Sequence, residues 1–266
     1  MRIIVISPHG DDSTIHAGGW IAQRTDAGDA VTILRVTNDE KDSFSGDIPA
    51  TVASNRAEAE EAAAILGADF VSFDYRDCEM DPLDETELRG RMVQLFRELR
   101  PDLVMGYDPW GPYEENPDHL KCARAMDDAC WSANYPHFYP EHLTAGLERH
   151  CIARRAYFSR TQHAANRVID IGDKLERKIA AMQAHRTMSA AILQNTQELA
   201  LAAGLDVPAL QRLQDPAEFA REFILARSRR VGEPHGIAYA EAFRFAEFDA
   251  TNPLITHFQA LDAPQK

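Results

Sequence analysis

Apolar and polar positions along the chain change period repeatedly, and each change marks an element. Residues 2–7 (RIIVIS) form a continuous apolar run rich in β-branched side chains, which predicts a strand covered on both faces. The run stops at Pro8, a polar turn over 9–13 follows, and a helical pattern over 14–27 ends at Gly28. Residues 31–36 (VTILRV) predict a second strand, followed by a polar loop from 37 to about 51. Ser54 is placed to cap the next helix, which stops at Gly67. Residues 70–73 read as a third strand, 85–99 as a third helix, and 102–107 (DLVMGY) as a fourth strand. Beyond 150 the pattern loosens. Strands are expected near 156–159 and 168–171, one long helix over 173–201, a break over 204–216, and a helix over 217–227.

Strands alternating with helices of ten to fifteen residues predict βαβ units. The expected fold class is therefore α/β: a Rossmann-like, mainly parallel sheet flanked by helices, with an α+β C-terminal extension. The division expected is a Rossmann-like catalytic core over 1–150 and a portion over 151–266 that completes the sheet and pocket within one integrated domain. That second portion is also the expected source of contacts in any homo-oligomer. In sheets of this kind ligands bind beyond the carboxyl ends of the strands. The polar clusters obey that rule: His9-Gly-Asp-Asp12 follows the first strand, Asn38-Asp-Glu40 the second, and Asp108-Pro-Trp-Gly111 the fourth.

The first cluster combines an imidazole and two carboxylates. His9 and Asp12, three apart across a tight turn, can reach one ion, and Gly10 lets the backbone bend without a Cβ. An imidazole nitrogen and a carboxylate oxygen suit Zn²⁺. Asp11 then points elsewhere, toward water. The competing reading is a helix cap, since carboxylates after a strand often serve free N–H groups. The second cluster is Asn116-Pro-Asp-His119 after the fourth strand. Asn116 as cap, Pro117 in the first turn and Asp118 on the helix dipole explain three residues structurally, and leave His119 unexplained. A His there could face His9 across the crevice, giving three protein ligands and one open position, as in catalytic zinc sites.

With these motifs quoted, the chain resembles the PIG-L/LmbE-like family of zinc-dependent N-deacetylases and amidases. The family's PHPDD or AHPDD motif corresponds to Pro8-His9-Gly10-Asp11-Asp12, and its HPDH to Asn116-Pro117-Asp118-His119. Gly18-Gly19, Arg56 with Glu58, Lys178 with His185, and Tyr239-Ala-Glu-Ala-Phe-Arg244 echo further signatures in the same order. The resemblance implies His9, Asp12 and His119 as zinc ligands and Asp11 as general base. It implies Arg56 on the substrate pocket and Asp118 as a supporting or proton-handling partner. The substrate implied is a small polar N-acyl compound such as an amino sugar or its conjugate. Gly10 in place of proline should loosen the turn. Asn116 in place of histidine matters more, because an amide can donate a hydrogen bond but cannot release a proton at neutral pH. Asp11, Tyr113 and His235 are the candidates to supply that proton. The alternatives are a hydratase or other amidase on this scaffold, or a non-catalytic metal-binding domain.

Several residues carry weaker readings. Trp110 and Tyr113 could stack on a substrate ring, and His235 could meet substrate from a flexible loop. His16 reads as structural, 38–40 as a solvated loop, and His137 and His142 as parts of a packed loop. The 266 residues carry a net charge of −14, and the pI is about 5.1, which disfavours nucleic acid and anionic membranes as partners. No GxGxxG follows the first strand, and no lysine stands where a receiver-like domain would need one. Cys78, Cys122, Cys130 and Cys151 fall at no zinc-finger spacing and predict reduced thiols. With no cleavable apolar start and no long apolar span, the chain is expected to be cytoplasmic.

Overall fold

The computed structural model describes residues 1–44, 46–80, 84–249 and 251–262. In chain order the elements are β1 (Arg2–Ser7), α1 (Asp12–Asp26), β2 (Ala30–Thr37), α2 (Ile48–Leu66), β3 (Asp69–Tyr75), α3 (Glu85–Leu99), β4 (Leu103–Tyr107) and α4 (Pro117–Ser132). There follow α5 (Pro140–Thr144), β5 (Arg154–Phe158), β6 (Arg167–Asp170), α6 (Leu175–Ala184), α7 (Arg186–Ala202), α8 (Pro208–Arg212), α9 (Pro216–Gly232), β7 (Ala240–Glu247) and α10 (Pro253–Asp262). Among the described residues seven strands form one sheet, in the order β3-β2-β1-β4-β5-β7-β6. The first five pair in parallel, and β7 returns antiparallel to both β5 and β6.

The α/β fold is thus as the sequence predicts, and the apolar runs explain it. Ile3 and Val5 of β1 face one layer with α1, α2 and α6, while Ile4 and Ile6 face the other with α3 and α4. A strand buried on both faces has no polar side to alternate with. Strand order reverses between β1 and β4, so a crevice opens beyond their carboxyl ends.

Four expectations need correction. Helix α2 begins at Ile48, not after Ser54, because Asp47 accepts a hydrogen bond from Ala50 N and Pro49 favours the first turn. The single helix expected over 173–201 is broken at His185, whose backbone (φ −79°, ψ 65°) leaves the helical region. Residues 38–40 are no solvated loop: Asp39 is fully buried and Glu40 nearly so. Strand β7 and helices α5, α8 and α10 were not foreseen. Of the two histidines expected in a packed loop, His137 is exposed and His142 lies in α5, its Nδ1 facing buried Arg97, which donates to the carbonyls of Ala133, Tyr135, Phe138 and Tyr139.

Candidate metal centre and catalytic cleft

β1 and β4 each deliver one half of the centre. His9 leaves the end of β1, Asp12 opens α1, and His119 sits in the first turn of α4. Asp11 occupies the N-cap position of α1, yet its side chain makes no capping bond. The cap reading therefore fails for Asp11, whose carboxylate is left to the cleft. It succeeds for Asn116, whose Oδ1 accepts from Asp118 N at 2.9 Å.

Three donor atoms converge. His9 Nδ1 lies 3.1 Å from His119 Nε2, and Asp12 Oδ2 lies 3.4 Å from each of these nitrogens. Ligands at zinc distances in a tetrahedron stand roughly 3.3–3.4 Å apart. The triangle fits such an ion, with its open side on a cleft of about 340 Å³ lined by all three residues. Two other groupings on His9 are close enough to hold a cation, with Asp77 and Asp118, and with Asp39 and Asp42. Asp77 and Asp118 are committed to backbone donors, Lys41 N at 3.1 Å and Cys78 N at 2.7 Å. Asp39 accepts from Gly10 N, Arg35 and Thr37. The His9–Asp12–His119 set alone has every member on the cleft wall.

The remaining contacts fix how these ligands are presented. His9 Nε2 lies 3.2 Å from Asp77 Oδ1 and 3.5 Å from Asp118 Oδ2, so in the neutral ring the N–H sits on that nitrogen and Nδ1 is free for a metal. Burial opposes a charge on His9, but Asp118, Asp12 and Asp77 outweigh it and hold its pKa well above the usual range. Glu114 Oε1 stands 3.0 Å from His119 Nδ1, outside good hydrogen-bond alignment. Tyr107 stacks on His119 with ring centroids 4.1 Å apart, and its hydroxyl donates to Asp12 Oδ1 at 2.7 Å. Behind it, His16 Nε2 lies 3.0 Å from the same hydroxyl, and His16 Nδ1 lies 3.5 Å from Arg227. Since guanidinium can only donate, the proton on His16 belongs on Nε2, which leaves the Tyr107 hydroxyl directed at Asp12. Burial opposes ionisation of Asp12, but His119, His9 and Tyr107 pull its pKa well down. Burial first, then Asp12 and Asp42, push Asp11 well up.

Gly10 does not loosen the turn. Its N–H donates to Asp39 Oδ2 at 3.1 Å, a bond no proline could make, and an added Cβ would lie 3.1 Å from that carboxylate and 3.2 Å from Ala59 Cβ.

Of the residues expected on the cleft, Asp11 and Asn116 line it with the three ligands. Asp118 lies behind His9. Four expected substrate contacts are not among the lining residues. Arg56 is half exposed and engages Glu60 and Asp74. Trp110 is drawn outward over Arg244, itself bound bidentately to Asp108. Tyr113 is 84% exposed, and His235 sits exposed beyond α9. In their place the cleft takes His16, Asp42, Tyr107, Arg160 and Arg227. Polarity in the loop after a strand was available as a signal for Asp42, five residues past β2, and for Arg160, two past β5. His16 and Arg227 sit inside helical patterns and gave none.

A mainly parallel sheet with a His–Asp–His cluster open to a cleft at the reversal of strand order is an α/β scaffold with a place for a divalent metal ion. The family model for PIG-L, GlcNAc-PI de-N-acetylase, matches residues 4–130. A diacetylchitobiose deacetylase of Thermococcus kodakarensis is 33% identical over 189 residues, covering 70% of this chain and 69% of the relative. A 1D-myo-inositol 2-acetamido-2-deoxy-alpha-D-glucopyranoside deacetylase of Mycobacterium sp. (strain KMS) is 28% identical over 250 residues, covering 78% and 80%. The solved N,N'-diacetylchitobiose deacetylase of Pyrococcus horikoshii superposes with a TM-score of 0.76 at 26% identity, over 92% of this chain and 84% of that one. A 4-carboxy-2-hydroxymuconate hydratase of Pseudomonas putida shares the fold, with a TM-score of 0.67 at 20% identity over 94% and 98%. The chain belongs to the PIG-L family. It is a hydrolase of carbon–nitrogen amide bonds, of the deacetylase kind.

Proposed function

We propose that the chain removes an acetyl-like N-acyl group from an amino sugar or its conjugate, with zinc as the native metal. The observation that carries this reading is the 3.1–3.4 Å triangle of His9 Nδ1, Asp12 Oδ2 and His119 Nε2 open to the cleft. When bound there, zinc lowers the pKa of a coordinated water toward ~7 and polarises the amide carbonyl.

The chain's own residues supply the rest. Asp11, uncommitted and on the cleft wall, takes the proton from the attacking water. Asn116 uses Oδ1 on the helix N–H, which leaves Nδ2 to donate to the developing oxyanion. Asn116 cannot protonate the departing amine, and neither Tyr113 nor His235 is on the cleft wall. Asp11 therefore also returns the proton, as base and then acid. Asp118 and Asp77 hold His9 with its lone pair forward.

The test is metal content and turnover measured together on N-acetylated amino sugars. Asp11→Asn should keep about one zinc per chain and lose activity by about 10²–10⁴-fold. His9→Ala and His119→Ala should lose the zinc as well. Undiminished hydrolysis by Asp11→Asn, or by metal-stripped protein in excess chelator, would overturn the assignment.

A further inference from the structure

The cleft holds a cation that meets the metal centre only indirectly, through His16. Arg227, on α9, lies on its wall and contacts His16 Nδ1 at only 3.5 Å, with its guanidinium carbon 5.6 Å from the Phe223 ring centre. Among the described residues it forms no ion pair with a carboxylate, although the chain has 42 Asp and Glu against 28 Lys and Arg. Arg227 is half-buried, and other arginines packed against the sheet and its helices are served. Arg35 binds Asp39 and Asp74, Arg244 binds Asp108 through two nitrogens, and Arg97 spends its donors on loop carbonyls. Removing a guanidinium from water without a counterion is costly. Burial foremost, with Arg160 and Arg230 adding to it, depresses the pKa of Arg227.

A second cation faces the same space. Arg160, just after β5, lines the cleft and is held by its Nε, 3.1 Å from both oxygens of Glu114. That bond leaves its terminal nitrogens uncommitted among the described residues and fixes the direction in which they point. Asn195 of α7 adds an amide to the same wall. Two guanidiniums that repel one another, one without a carboxylate, form a place for an anion supplied from outside.

We infer that Arg227 and Arg160 form an anion subsite, so that the preferred substrate carries a carboxylate or phosphate beside its N-acyl group. This deepens the deacetylase reading and rests on it for the word substrate, but the subsite itself is a binding property.

Calorimetric affinities of the zinc-loaded wild type separate the two. The ligands are N-acetylglucosamine, its 6-phosphate, and N-acetylmuramic acid, which carries a carboxylate; if turnover intervenes, the deacetylated products replace them. At least one anionic ligand should bind ten-fold or more tighter than the neutral sugar, and the pair of anions tells phosphate from carboxylate. At zinc content equal to the wild type, measured on the same samples, Arg227→Gln should remove most of that advantage, and Arg227→Lys should restore part of it. Equal affinities for all three ligands in the wild type would overturn the subsite without requiring any variant. So would Arg227→Gln keeping the full preference. Preferential anion binding with no hydrolysis of any ligand would instead sink the deacetylase reading and leave the subsite standing.

Discussion

Tyr107 touches two of the three proposed ligands, and its ring and hydroxyl act on different ones. The ring stacks on His119 and the hydroxyl donates to Asp12 Oδ1, on the oxygen away from the metal position. Tyr107→Phe keeps the stack and deletes the bond. Outer hydrogen-bond partners of metal ligands typically contribute about 10–100-fold in affinity. A chelator-competition titration should therefore show zinc held about ten-fold or more weakly, in a protein whose melting temperature is otherwise little changed. An unchanged zinc affinity would mean that the hydroxyl serves packing alone. The proposed metal ligands were legible as candidates in the sequence because His9 and Asp12 follow β1 directly and His119 opens the helix after β4. Tyr107, Asp77 and Glu114 were not, because their roles arise from strand ends meeting in space. The expectation for Arg56 failed for a related reason: α2 carries it toward Asp74 at the end of β3, where a carboxylate captures it at 2.9 Å.

Helix α1 shows the same dependence on distant parts of the chain. Gly19 N and Trp20 N donate to the two oxygens of Glu241, and Lys178 Nζ donates to Ile15 O and to Glu241. The bonds attach α6 and β7 sideways to the middle of α1. The glycine pair permits the approach, since a Cβ on Gly19 would lie 2.7 Å from Ile171 Cβ and one on Gly18 3.2 Å from Lys178 Cγ. Breaking a buried pair strands the remaining charge. Lys178→Met should cost about 3–5 kcal/mol in urea unfolding, whereas breaking an exposed pair such as Arg221–Glu176 should change stability little. A loss from Lys178→Met no larger than that of the surface pair would refute the coupling. This pairing also explains why β7 was illegible. Glu241 and Arg244 break the apolar alternation, and they are accommodated by Lys178 and Asp108, far away in sequence. The break at His185 was hidden likewise, since its side chain is buried against Thr14 while local periodicity runs on.

At the scale of the molecule, the centre is a knot of charge that closes the fold. Asp11, Asp12, Asp39, Asp77 and Asp118 are all buried around His9 and His119. The walls of the cleft come from segments as distant as His9 and Arg227. A divalent cation that binds only the assembled triangle must then stabilise the whole chain, because the unfolded chain cannot present it. At free zinc about one hundred times its dissociation constant, linkage gives about 2.7 kcal/mol. For a chain of this size that corresponds to a rise in melting temperature of about 5–10 °C. Calorimetric scans of stripped protein with and without zinc should show this shift as one cooperative transition. Asp12→Ala should abolish the shift, because it removes the carboxylate corner of the triangle. Asp11→Asn should retain it, because Asp11 does not belong to the triangle. A zinc-dependent shift that survived in Asp12→Ala would place the ion at one of the other carboxylate groupings on His9. No shift in the wild type would mean that the triangle holds no ion in solution.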